Sequence, residues 1–235
     1  MIRFLLKGLL RDRSRSLFPV VVVTIGVTLT VVLQSWLGGV MGDMIGSNAA
    51  FSTGHVKVTT RAFAENESQN PNDLALLGVA DLVATLHRRF PDMQFVPRIR
   101  FGGLLDIPDE KGETRAQAPI AGQGVDLLSA GSSEIDRLNI ADAIVRGRLP
   151  EKAGETLISE NLARKLAVDP GATATLLSST MYGGMTMHNF TIVGTVRFGI
   201  AAMDRGAMLA DIGDVRLALD MDDAAGELLG YFEDG

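Results

Sequence analysis

Residues Ser16 to Gly42 hold 27 positions without a single charged side chain, and this stretch constrains the chain more than any other feature. It is rich in Val, Leu and Ile, most densely from Leu17 to Leu37. A bilayer core is crossed by about 20 apolar residues in a helix. The stretch therefore predicts a transmembrane helix over 17–42. Pro19 falls near its start, where a missing amide hydrogen is tolerated. Thr24, Thr28 and Thr30 suit bonding back to helix carbonyls. Trp36, beside Gln34 near the far end, fits an anchor at the membrane interface. Two other readings compete. A signal peptide has an apolar region of roughly 7–15 residues; here the apolar part is longer and ends well before the small-residue triplet Ser47-Asn48-Ala49. A buried core helix would not be apolar on every face beside a basic cluster.

The charge around this stretch is uneven. Arg3, Lys7, Arg11, Arg13 and Arg15 stand against Asp12, a net +4 over residues 1–16. The whole chain carries −6, so the remainder carries −10. Positive charge marks the cytoplasmic flank of a membrane helix, which predicts an N-terminus in the cytoplasm and the bulk of the chain outside. An acidic outer part also argues against a nucleic-acid partner. The mean hydropathy of +0.20 is high, and the membrane stretch accounts for most of the excess.

Residues 1–16 form a unit of their own. Arg3, Lys7 and Arg11 recur every four positions and make one stripe of a helix, with Ile2, Leu5, Leu6, Leu9 and Leu10 on the other side. Such a basic amphipathic helix lies in the membrane interface. It reads either as a plain orientation signal or as an elbow that docks on a cytoplasmic protein.

The rest reads as mixed α and β. Strands are expected at 51–60, 93–107, 115–125, 155–158, 172–178, 185–198 and 207–210, from alternating or β-branched runs bounded by turn residues. The pair 93–107 and 115–125 flanks the turn Asp109-Glu110-Lys111-Gly112 and reads as a hairpin. Residues 61–73 are polar and read as a loop. Helices are expected at 75–90, with Asn72 or Asp73 as cap and Pro91 after the end, at 132–144, at 159–167, and from the cap Asp211 to Leu219. Asp222 is read as starting a last helical piece that ends at Gly230.

Catalytic chemistry is not visible. There is no phosphate-cradling glycine loop, no zinc-type histidine pair among His55, His87 and His188, and no nucleophile elbow. With no cysteine, thiol catalysis and Cys-based metal sites are excluded. No catalytic, cofactor-binding or metal-ligating residue is assigned, and no cofactor is expected.

The order of parts resembles the beginning of the MacB/LolE/FtsX-like ABC transporter permeases. KGLLRDRSRSLFPVVVVTIGV (Lys7 to Val27) resembles that family's elbow and first membrane helix. TGHVKV (Thr53 to Val58), PRIRFGGLL (Pro97 to Leu105) and AGQGVD (Ala121 to Asp126) resemble strands of its periplasmic domain. The most similar run is GRLPEKAGETLISENLARKLAVDPGATATLL (Gly147 to Leu177), followed by Phe190 to Leu219. The resemblance implies an α+β fold: an N-terminal transmembrane helix, a porter-like periplasmic part over 43–145, an inserted β-rich subdomain over 146–219 and an incomplete return over 220–235. It implies a non-catalytic permease subunit in the bacterial inner membrane. Its partners would be a separate ATP-binding subunit, a second permease copy, the lipid bilayer and a lipoprotein or other periplasmic partner. The work would be mechanical, for lipoprotein release or export, and Arg3, Lys7 and Arg11 would face the membrane and the ATPase. The family has three more membrane helices after the periplasmic domain, whereas AGELLGYFEDG (Ala225 to Gly235) resembles a point inside it, so a truncated chain is expected. The alternative is a single-pass anchored binding or sensor protein.

Overall fold

The computed structural model describes residues 13–232, without the side chains of 13–16, 43 and 44. Two compact units divide at Ala49/Ala50. The first is helix α1 (Arg13–Asn48). The predicted membrane stretch lies wholly inside it, and Pro19 falls in the helix interior rather than at its start. There the ring nitrogen offers no hydrogen to the carbonyl of Arg15. Thr24 Oγ1 donates to Val20 O at 2.8 Å and Thr30 Oγ1 to Gly26 O at 2.8 Å, as their spacing predicts.

The second unit begins with the π-helical turn Ala49–Thr53 at the boundary and short strand β1 (Val56–Val58). The expected loop at 61–73 instead holds helix α2 (Arg61–Glu65) and two 3-10 turns. Thr60 explains the helix: its side chain accepts from the Phe63 amide and seats the buried Phe63 ring. The predicted 75–90 helix starts later. Leu76–Leu77 forms β2, and α3 (Val79–Arg89) follows Gly78. Asn72 and Asp73 do not cap it. Asp223 does, from the far end of the chain, with its carboxylate on Ala80 N at 2.9 Å and its carbonyl on Val79 N at 3.1 Å.

The hairpin is present as β3 (Met93–Pro108) and β4 (Thr114–Val125). Helices α4 (Glu134–Arg137) and α5 (Ile140–Ala143) replace the single helix expected at 132–144, split at Asn139 with φ 49°. Then come β5 (Ile144–Gly147), β6 (Glu155–Ser159), α6 (Glu160–Leu166), β7 (Thr173–Ser179) and β8 (Met185–Val196). The described chain ends with α7 (Ala201–Asp204), β9 (Ala207–Asp211), α8 (Ile212–Leu219), β10 (Ala224–Ala225) and β11 (Glu227–Phe232). The helix expected over 222–230 is therefore strand. Leu228, Leu229 and Gly230 pair with β1 on one side and β3 on the other, and this pairing overrides a helix-like composition.

Six strands close into a ring. β3 pairs β4, β4 pairs β9, β9 pairs β6, β6 pairs β8, β8 pairs β7, and β7 returns to β3. A closed ring leaves no free sheet edge between its members. It draws on strands from both sides of Arg146. Two long strands change partners as they leave it: β3 pairs β11 over Met93–Arg98 and β7 over Leu104–Asp106, and β8 passes from β7 to β5. The inward residues Ile99, Phe101, Leu105, Ile158, Leu176, Ile192 and Met208 form one buried cluster with Leu162 and Leu166 of α6 and Val215 of α8. A second cluster joins Val125, Leu157, Val193 and Leu209 to Leu138 and Ile140. The Gly102-Gly103 pair divides its work. A Cβ on Gly103 would lie 2.6 Å from Leu177 O, so β7 could not approach; a Cβ on Gly102 would meet nothing within 4 Å.

Candidate functional site: a membrane anchor and a clamped incoming segment

In α1, every side chain described from Leu17 to Gly42 is exposed. Leu17, Phe18, Val23 and Ile25 each expose more than 60% of their surface, and none of the most apolar window is buried. A helix of 36 residues is about 54 Å long at 1.5 Å per residue, more than a hydrocarbon core requires. Trp36, the predicted interface anchor, lies on it and is 65% exposed. Arg3, Lys7 and Arg11 lie outside the described residues.

Where the chain enters the second unit, several groups hold it. Tyr231 Oη donates to Ala50 O at 2.8 Å, and Gln123 Nε2 donates to Phe51 O at 3.4 Å. The Phe51 ring meets the Phe198 ring edge-on at 4.9 Å and joins the second core cluster. His55 N donates to Gly230 O at 2.9 Å, and His55 Nδ1 accepts from Phe232 N at 3.1 Å while the two rings stack. This imidazole is thereby a backbone acceptor at the start of β1.

Tyr231 is itself held by a buried ionic cluster. Arg98 and Glu134, 2% and 1% exposed, pair at 2.5 Å. Arg137 pairs with the same Glu134 and lies 4.2 Å over the Tyr231 ring, a cation–π contact. Gln94 Oε1 accepts from Arg137 Nη2 at 2.5 Å and from Ser133 Oγ at 2.9 Å. Burial is the largest influence on the Tyr231 phenol and pushes its pKa up, so it remains a donor to Ala50. The cluster ties β3, α4 and β11 to the incoming chain.

A second cluster supports β1 from its other end. Lys57 Nζ lies 2.7 Å from Glu67 and 3.0 Å from the buried Glu227. Arg100 pairs with the same carboxylates at 2.6 Å and 2.7 Å. Hydrogen bonds from Lys57 and then Arg100 hold the Glu67 carboxyl below its usual pKa. Farther along, Arg148 holds Glu155 at about 2 against burial, which pushes it up. Burial also pushes Glu160 up, but hydrogen bonds including those of Arg164 and Arg146 outweigh it and leave that carboxyl at about 2.

Of these features, the long apolar helix α1 was legible in the sequence. The Tyr231–Ala50 bond and the Arg98–Glu134 pair were not, because they join residues far apart in the chain. No group of three or more acidic or histidine side chains that could hold a metal occurs among the described residues. One open cleft of about 840 Å³ lies on the outer face of the ring, between the 3-10 turns and the β7–β8 turn, with Gly102 in its lining.

No protein-family profile matches the chain, and no curated protein does. Among solved structures, the chain is similar to the crystal structure of the periplasmic region of MacB from Actinobacillus actinomycetemcomitans. The TM-score is 0.47 at 14% sequence identity, covering 73% of this chain and 71% of that one.

Proposed function

We propose that the chain is a permease-type subunit of an ABC transporter, anchored by α1 with the domain from Ala50 onward outside the cytoplasm. The observation that carries this reading is α1 itself: 36 residues, apolar on every described face and unburied throughout its most apolar window. Such a helix is stable in lipid, where its interior backbone groups are satisfied within the segment except at the Arg15 carbonyl opposite Pro19. The +4 charge of residues 1–16 favours an N-terminus in the cytoplasm. ATP would be hydrolysed by a separate subunit, in keeping with a sequence that has no phosphate-cradling loop. Arg3, Lys7 and Arg11 would face that subunit and the lipid headgroups, and Trp36 would sit at the outer interface. A second copy of the subunit would complete the assembly, acting on a lipoprotein or another extracytoplasmic partner.

The clamp suits this role. Movement of a membrane helix reaches a domain only if the connecting segment does not yield. Ala50, Phe51 and His55 are each bonded to β4 or β11.

The test is co-purification from membranes. The full chain is expected to retain a P-loop ATPase, and removal of residues 1–16 is expected to release it. A full chain that retains no ATPase in any nucleotide state would end the reading. The second reading is a single-pass anchored binding protein, which the open cleft at Gly102 favours; it predicts retention of a ligand without an ATPase.

A further inference from the structure

The cleft at Gly102 is lined mainly by uncharged polar residues. One wall is the 3-10 segment, with Gln69, Asn70 and Asn72; the other is the end of β7 and its turn, with Ser179, Thr180 and Tyr182. Amides and hydroxyls predominate. Asp73 is the one charged residue in the lining, and no Lys or Arg is among the described lining residues. A phosphate or carboxylate ligand would thus find no cationic side chain in the lining.

Three observations point to the kind of ligand. The Asn72 side chain donates from Nδ2 to Arg100 O at 3.1 Å, which fixes the amide-bearing 3-10 wall against β3. Tyr182 exposes 76% of its surface on the rim, an aromatic face with nothing built over it. Gly102 leaves the lining bare at that point, and Ser178 Oγ, donating to Gly102 O at 2.7 Å, pins β7 beside it. The volume lies within the range of small-molecule sites.

We propose that this cleft binds a neutral oligosaccharide, with a sugar ring against Tyr182 and sugar hydroxyls meeting the amides of Gln69 and Asn70. Sugars present hydroxyls that both donate and accept, which matches amides and hydroxyls better than charges. They also present an apolar C–H face, which an exposed aromatic ring accepts. The site does not depend on whether the chain works with an ATPase.

The experiment uses the full chain in lipid nanodiscs, since maltoside detergents carry a sugar headgroup. Maltotriose, cellotriose and chitotriose are offered in turn, and saturation transfer from protein to sugar protons is read by NMR. Transfer to at least one of them is expected. Gly102→Trp, which grows into open space and leaves the ring intact by circular dichroism, should abolish it. Tyr182→Ala should weaken binding about tenfold, and Tyr182→Trp should preserve it. Absence of transfer to all three sugars overturns the proposal, as does transfer that survives Gly102→Trp. Transfer to uncharged N-acetyl-trialanine amide instead of the sugars also overturns it and assigns the cleft to peptides.

Discussion

Helix α1 and the six-stranded ring are both built largely from Val, Leu and Ile, yet they treat these residues in opposite ways. In α1, Val20 to Val23 are all exposed. In the ring, Ile99, Leu157, Ile158 and Leu176 are completely buried. The difference lies in the neighbours rather than the residues. Every ring strand has a partner on both sides, and its apolar residues are covered by the neighbouring elements. The helix has no polar face to turn outward, so water is costly around all of it. One kind of side chain thus stands in opposite surroundings within one chain, according to its periodicity.

The contrast is broken most completely by charging the helix. Replacing Val22, Ile25 and Leu29 with Lys adds about 2.5–3.5 kcal/mol per residue to membrane insertion. The protein is expected to leave the membrane fraction, as read by carbonate extraction, while the ring keeps its β-type circular dichroism.

The next test acts within the second unit. Glu134→Ala leaves Arg98 buried and unpaired, and breaking such a pair costs about 3–5 kcal/mol. The urea midpoint should fall sharply. Replacing both partners with apolar residues of similar volume should restore much of it; no recovery would mean that the pair does more than compensate its own burial. Leu157→Ala opens a cavity in the second cluster and should cost about 2–5 kcal/mol, whereas Leu29→Ala should leave the same transition unmoved.

Acid gives a graded test. Glu155 and Glu160 are held at about 2, below the ordinary 4.5, so they favour the folded state wherever they are ionised. Their contribution is complete above the ordinary carboxyl pKa and is lost as pH falls from there through about 2. Unfolding midpoints should be flat from roughly pH 7 to 5 and drop below that. Glu155→Gln should make the drop shallower. The smallest effect is expected at Met185, 86% exposed on β8: Met185→Ser should change stability by less than about 0.5 kcal/mol.

The local parts of this fold were legible because periodicity is local. Met93 to Pro108 and Thr114 to Val125 alternate clearly around a turn, and Ser159 and Asp211 sit where helix caps belong. The closure of the ring was not legible. It depends on Leu104 meeting Leu177 and Ala121 meeting Ala207, pairings that no short window contains. The misread segment from Asp222 to Gly230 has the same cause. Ala, Glu and Leu suit a helix, but a vacant place between β1 and β3 made it a strand. The long apolar helix was readable from composition alone, while the clamp on Ala50 required Tyr231 to come back across the domain.

The register of β1 against β11 has a mechanical consequence. Val56 lies opposite Gly230 in antiparallel pairing, so the incoming segment and the outgoing end of β11 leave the ladder from the same side. Tension drawing those two ends apart would load their hydrogen bonds one after another, as a zipper opens, rather than all at once in shear. The contacts of Ala50 and Phe51 bear the load before the ladder does. Within the ladder, the first bonds to bear it would be those around His55, between Phe232 N and its ring and between its own amide and Gly230 O. A substitution at His55 would therefore change the force at which the ladder begins to open while leaving the ring unchanged.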